Sequence, residues 1–240
     1  MGVEAHKAAS LTLLHPNSTQ TKEKLLHTLL SKASFFRVAE AECLSCTYFT
    51  PATRKGAMLG MVPASEKDTT VGVIQTFPSR QAASEADQYF KLSDVAVNPG
   101  DHTTWYPSAG FMARDKQRES PKAKIVMLAK FVCKDGQGMR EKLVDVLGKF
   151  CDWVEENELG TLTYCVMTRP DAPNEVLMVE RYKDLPSIGV HGKTKEFKAM
   201  FKATGPFIQG KKTVLSEWEE QEGSFVSNTP GGAGVQKAKL

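Results

Sequence analysis

Apolar residues recur along this chain with two spacings, one of strands and one of helices, and the order of the two repeats once. Leu11 to Leu14 is a short apolar run that fits a strand. From Lys22 to Glu42, Leu25, Leu26, Leu29, Leu30, Ala33 and Phe36 return at three- and four-residue steps. That is the spacing of a helix with one buried face, and Thr19 or Thr21 is placed to cap it. Cys43 to Thr50 reads as a strand stopped by Pro51, and Arg54 to Thr70 as a loop. Val71 to Phe77 is a strand and Pro78 to Leu92 a helix. Asn98-Pro99-Gly100 is a turn, and Thr103 to Phe111 holds the last strand of this half. Met112 to Ala123, charged and containing Pro121, reads as a linker.

The same order then returns. Ile125 to Phe131 is a strongly apolar strand, and Gly136-Gln137-Gly138 a turn. Met139 to Glu156 is a helix with Leu143, Val146, Leu147, Phe150 and Val154 on one stripe. Thr161 to Thr168 and Val176 to Tyr182 are strands joined by a loop that holds two prolines. Asp184 is placed to cap a short helix through Val190. Lys193 to Lys202 is a further helix, and Thr213 to Trp218 the final strand. The rest, from Glu219, is Gly-rich and polar and reads as a flexible tail. The predicted division is 1–111, a linker over 112–123, 124–219, and a tail over 220–240.

The order is β-α-β-β-α-β twice, which predicts an α+β chain of two tandem ferredoxin-like halves. Cys46-Thr47-Tyr48 lines up with Leu162-Thr163-Tyr164, and Val71 to Phe77 with Val176 to Tyr182. Tyr89-Phe90-Lys91 lines up with Glu196-Phe197-Lys198. The first half therefore carries the longer hairpin loop. Each half covers one face of its sheet with its own helices and needs cover for the other. Packing the halves sheet to sheet supplies it, with a cavity expected between the sheets. A further homodimer stays open.

Composition narrows the function classes. The chain has 240 residues, 41% of them hydrophobic and 25% charged, as in ordinary globular proteins. Its 31 basic and 28 acidic residues give a net charge of +3, too balanced to point to nucleic acid. No apolar run reaches the length of a membrane span, and Met1 to Ser10 lacks the apolar core of a secretory signal. Cysteine is odd in number, at 43, 46, 133, 151 and 165, which fits reduced thiols and an intracellular setting. Cys43 and Cys46 form a C-x-x-C, but no second pair completes a zinc site, so a β-prone strand is the better reading.

The second half, Lys124 to Glu219, resembles the antibiotic biosynthesis monooxygenase family of the dimeric α/β-barrel superfamily. The resemblance rests on Ile125 to Phe131, Gly160-Thr161-Leu162-Thr163-Tyr164, Val179-Glu180-Arg181-Tyr182-Lys183-Asp184, and then His191 followed by Phe197. The first half shares only the element order and has no matching histidine. One fuller and one degenerate copy resemble tandem members found in fungi. The resemblance implies a dimeric α/β-barrel-like pseudo-dimer and oxygenation of a small molecule, often without metal, flavin or haem.

Such chemistry needs an electron-rich phenol or enol, a dry apolar site and a base. His191 is the candidate base; the bland alternative is a partly exposed histidine at a helix end. Glu180 would orient His191 or a substrate hydroxyl, or else pair with Arg181 or Lys183. Tyr164, Tyr182, Trp153, Trp218 and Phe197 are candidates for the substrate wall, with core packing as the alternative for each. No metal-ligand spacing and no dinucleotide fingerprint is present. Haem-degrading members use an asparagine on the first strand, where this chain has Ala129 and Lys130, so no cofactor is expected.

The resulting expectation is a cofactor-independent monooxygenase acting with dioxygen on a small hydrophobic molecule, phenolic, polyketide-like or lipid-derived. A porphyrin-binding member and a non-catalytic binder or stress-associated scaffold are the rivals. Ala238-Lys239-Leu240 resembles a peroxisomal address and would engage an import receptor.

Overall fold

The computed structural model describes residues 7–36, 42–56, 63–89, 97–114 and 122–228. The first half contains β1 (Ala8–Pro16), α1 (Thr19–Phe36), β2 (Ser45–Pro51), β3 (Val71–Phe77), α2 (Arg80–Tyr89) and β4 (Val97–Phe111). The second contains β5 (Ile125–Val132), α3 (Met139–Asn157), β6 (Thr161–Thr168), β7 (Glu175–Tyr182), α4 (Leu185–His191), α5 (Lys195–Thr204) and β8 (Val214–Glu220). A two-residue strand, β9 (Val226–Ser227), follows.

Both halves have the ferredoxin-like strand order. In the first it is β4-β1-β3-β2 and in the second β8-β5-β7-β6. The edges then join: β4 pairs with β6 and β2 with β8, all antiparallel, so eight strands close into one barrel. At the first seam Gly110 has φ +85°, and a Cβ there would lie 2.0 Å from the Tyr164 carbonyl oxygen. Only glycine lets the two backbones approach so closely.

Strand alternation divides the apolar residues into three layers. The inward set, including Leu11, Phe49, Ile74, Trp105, Leu128, Met167, Val179 and Trp218, packs the barrel interior. The outward set of the first half packs against α1 through Leu25, Leu29, Ala33 and Phe36, and against α2 through Ala82 and Ala83. The outward set of the second half packs against α3, whose Leu143, Leu147, Phe150, Cys151 and Val154 are buried, and against α4 and α5. Among the described residues the space between the sheets is occupied by this inward set, as suits an eight-stranded barrel, which is just wide enough for its own side chains to fill.

Several local expectations are corrected. Ser18 caps α1, its Oγ accepting from the Thr21 amide at 3.2 Å. Asn98-Pro99-Gly100 lies within β4, where the β1–β4 register slips between Leu13 and His15; an irregular stretch of ladder tolerates a proline. Residues 220–228, expected to belong to a flexible tail, are built into the fold. Glu220 ends β8, Phe225 covers the Arg181 guanidinium at 3.7 Å, and β9 pairs with β2. At the linker's ends Met112, Ala113 and Ala123 are buried. The C-terminal tripeptide lies outside the described residues.

One polar group crosses the barrel interior. Arg181 is completely buried and forms a two-toothed ion pair with Glu220, at 2.5 and 3.0 Å. Glu220 also accepts from the Ala123 amide at 2.9 Å and from the Thr47 hydroxyl of the first half at 3.0 Å. Both partners are thus held by hydrogen bonds, as a buried pair requires.

Candidate active site

The outward face of the second sheet does not pack shut. Between β5, β6 and β7 on one side and α3, α4 and α5 on the other lies a cavity of about 310 Å³. Met127, Ala129, Met178, Ile188, Phe197 and Met200 supply much of its apolar wall. That size and lining fit a small-molecule site.

Its polar lining includes Tyr164 from β6, Glu180 and Tyr182 from β7 and His191 from the end of α4, with Thr204 and Thr213 besides. Alternation on β7 sends Glu180 and Tyr182 outward together with Val176 and Met178, while Arg181 between them points into the barrel. The helix that carries His191 is fixed at its start. Asp184 accepts from the Ser187 amide at 2.9 Å and the Ser187 hydroxyl at 2.6 Å. At its end the chain turns at once into α5, capped by Thr194 accepting from the Phe197 amide at 3.1 Å. This elbow folds the histidine inward.

His191 is buried, at 3% exposure, in a box of rings. Phe150, Tyr164, Tyr182 and Phe197 have ring centroids 5.5, 5.3, 5.3 and 4.9 Å from the imidazole. Its Nδ1 lies 2.8 Å from Glu158 Oε2, which also accepts from the Thr161 hydroxyl at 2.8 Å. Its Nε2 is buried with no hydrogen-bond partner. A neutral imidazole that donates from Nδ1 to a carboxylate presents Nε2 as an acceptor, so the bare nitrogen is the basic one.

Glu180 does not orient His191 and does not pair with Arg181 or Lys183; it accepts from the Tyr182 hydroxyl at 2.7 Å. Burial pushes the Glu180 carboxyl above the usual carboxylate range, and the nearby His191 and the Tyr182 hydroxyl oppose that rise. Burial first, and Glu180 next, push the Tyr164 and Tyr182 phenols well up, so both remain protonated donors.

Tyr164, Tyr182 and Phe197 line the cavity as expected of a wall, and the two tryptophans do not. Trp153 stacks on Phe150 at 5.7 Å on α3, behind the site. Trp218 points into the barrel and meets Phe49 edge-on at 5.3 Å, because on β8 it is Leu215 that faces the cavity. Glu158 was absent from the sequence reading. It follows α3 directly, 33 residues from its histidine, and no spacing rule links the two. Among the described residues no cluster of histidine, cysteine, aspartate and glutamate could hold a metal ion. All five cysteines are buried and free, and desolvation pushes the Cys46 thiol up to about 12.

Residues 125–203, the part that builds the cavity, match the family model for antibiotic biosynthesis monooxygenase. The second half is thus similar to that family over the elements that form the cavity. In fold the chain is similar to a candidate monooxygenase from Lactobacillus acidophilus NCFM, with TM-score 0.72, 14% identity, and coverage of 93% of this chain and 97% of that one. A candidate monooxygenase from Fusobacterium nucleatum gives TM-score 0.71 and 18% identity over 99% and 100% of the two chains. An anthrone oxidase-like protein gives 0.57 and 12% over 100% and 99%. These likenesses span both halves and concern the fold. Among curated proteins no relative matches.

Proposed function

We propose that this protein is a cofactor-independent monooxygenase in which His191 takes a proton from a small, uncharged phenol or enol. The observation that carries this reading is the bare, buried Nε2 of His191 beside an apolar cavity of about 310 Å³, with Nδ1 tied to Glu158. The family match over residues 125–203 supports the same reaction class.

The residues perform the following steps. The apolar wall excludes water and favours an uncharged guest, since no lysine or arginine lines the cavity. His191 Nε2 accepts the acidic proton, and Glu158 stabilises the imidazolium that forms. The substrate anion passes one electron to dioxygen, and the two radicals join in a C–O bond. The peroxide takes the proton back from His191. Loss of water then leaves a carbonyl: a CH₂ group and O₂ become C=O and H₂O, with no outside reductant. The Tyr164 hydroxyl is the donor available to a substrate oxygen as charge develops there, since that of Tyr182 is engaged with Glu180.

A tetrapyrrole suits these residues less well. The cavity is at the small end of ligand sites, and its lining offers no cation to haem propionates. The test is oxygen uptake with neutral phenols and enols, hydroquinone and anthrone among them. One O₂ per oxidised product, and none with His191→Ala, is the expected result. A compound that binds in the cavity but is never oxidised in air would favour the binder instead.

A further inference from the structure

The His191–Glu158 pair has a buried, unpartnered polar atom at each end. His191 lines the apolar cavity, and its Nε2 is buried without a partner. Glu158 Oε2 holds the imidazole Nδ1, while its other oxygen, Oε1, is also buried and without a partner. Glu158 lines a second hollow on the far side, a surface groove shared with Thr161, Lys183, Asp184 and Ser187. The two hollows share no lining residue. The dyad is thus the polar bridge between a dry chamber and a wet, charged groove.

The bridge is braced from outside the cavity. Arg114, at the end of the first half, donates to the carbonyl oxygens of Glu155 at 2.7 Å and Thr161 at 2.8 Å, and also to that of Glu158. The turn between α3 and β6 is held tightly to α4 at Gly160, where an added Cβ would lie 2.3 Å from the Ser187 hydroxyl oxygen. The backbone that carries the Glu158 carboxylate is thus fixed on both sides, while the carboxyl itself is held only by His191 and Thr161.

We propose that Glu158 is the proton relay of the site, carrying protons between His191 and solvent in the outer groove while the substrate chamber stays closed. This rests on His191 being the base, as proposed above. The substrate C–H breaks and its proton goes to Nε2; the Nδ1 proton passes to Glu158 Oε2; the carboxyl then turns about its Cγ–Cδ bond, letting go of Thr161, and gives that same proton to groove water as the buried turn opens. The reverse sequence returns a solvent proton to the substrate. Each proton moves between oxygen, nitrogen and carbon without any change of oxidation state. Glu158 touches no substrate, so it is a positioning and relay residue.

The relay can be read without oxygen. Anaerobic exchange of the methylene protons of anthrone for deuterium from D₂O requires a base and a route to solvent, and no oxidation. The wild-type protein should accelerate this exchange. Glu158→Gln keeps an acceptor for Thr161 and for Nδ1 but cannot carry a proton, and should slow exchange about 10²-fold. Glu158→Asp, which keeps the acid, should recover part of that loss. His191→Gln should abolish the acceleration. Wild-type exchange in Glu158→Gln together with loss in His191→Gln would overturn the relay and leave the base standing. No acceleration by the wild-type protein would overturn both. Exchange without oxygen uptake would keep the relay and remove the oxygenase reading. Should Glu158→Gln fail to fold, ¹⁵N chemical shifts of His191 in the wild-type protein still decide the matter. The relay requires the proton on Nδ1 and a bare Nε2, and the opposite tautomer overturns it.

Discussion

The two halves share one strand order and differ in what covers the outward face of the sheet. In the second half, β7 presents Glu180 and Tyr182, and β6 sets Tyr164 opposite Glu180. In the first half, the matching strand β3 presents Gln75 and Phe77, and the residue opposite Gln75 is Cys46. The register thus runs two residues out of step with the sequence match of Tyr48 to Tyr164, a slip that keeps every side chain on its own face. The covers differ more. Among the described residues α2 stands where the second half begins its α4–α5 elbow, and α1 packs on the sheet with Leu25, Leu29, Ala33 and Phe36. A common topology supplies the platform. At three facing positions on two strands it carries Gln75, Phe77 and Cys46 in one half and Glu180, Tyr182 and Tyr164 in the other.

The sharpest way to break the comparison is to remove what the first half lacks. His191→Ala should lower kcat by about 10²–10⁴-fold on a verified substrate, the usual range for a general base. The fold should survive, since the ring borders a cavity and vacates space next to existing space. Wild-type turnover in this variant would mean that the second half differs from the first in shape alone.

The next effect is on stability and concerns the polar bridge of the barrel. Arg181 has Thr76 as its register counterpart in the first half, where the Thr76 and Ser45 hydroxyls lie 2.6 Å apart. Only the second half carries a buried ion there. Glu220→Gln would leave Arg181 charged and unmatched, and should cost about 3–5 kcal/mol in chemical denaturation. A loss below about 1 kcal/mol, the level of an exposed pair, would show that water reaches the guanidinium.

These variants also mark what the sequence made legible. Strand order and helix positions followed from periodicity, because each element buries one face and its spacing records which. Asp184 was legible as a cap, and His191 stood out through the resemblance that residues 125 onward carry. The burial of Trp153 and Trp218 away from the cavity was not legible, since a residue on an amphipathic element has a face but no named partner. Nor was Glu158 in a run of acids at a helix end, where a solvated reading fits as well. The half that holds the cavity was legible from the residues of the resemblance, but the side of the sheet was not, for a further reason. Covering both sheet faces is a demand on apolar area, and area alone does not say which side is left unfilled.

A smaller effect converts Tyr182 to the residue at its counterpart. Tyr182→Phe imitates Phe77 and removes the hydroxyl that donates to Glu180 at 2.7 Å. That hydrogen bond holds the Glu180 carboxyl down, so its loss should push the carboxyl further above the usual range. The expected change in stability near neutral pH is a loss of about 0.5–1.5 kcal/mol, typical of a hydrogen bond exchanged for water. An infrared or NMR titration of the Glu180 carboxyl reads the shift directly, and an unchanged midpoint would place the phenol outside its influence.

The smallest effect, and the one with a sign that varies with pH, comes from Glu180→Gln, which gives the second half the amide found at Gln75. Burial is the main reason that the Glu180 carboxyl stays protonated above the range of an unfolded chain. The folded protein therefore binds this proton more tightly than the unfolded one. Below the unfolded value, near 4.3, both states are protonated and the group adds no pH dependence. As pH rises from there, the unfolded chain gives up its proton first, and wild-type stability falls until the folded carboxyl has ionised as well. Glutamine has no proton to lose. Glu180→Gln should thus gain stability relative to the wild type as pH is raised from about 4 through the folded midpoint, and the gap should then level off. Urea denaturation at a series of pH values measures it, each unit of raised pKa being worth about 1.4 kcal/mol at the plateau. A gap that is constant with pH would show that the carboxyl titrates as in an exposed chain. A gap of the opposite sign would show that His191 and Tyr182 outweigh desolvation, making Glu180 a stable anion and the polar difference between the halves one of charge.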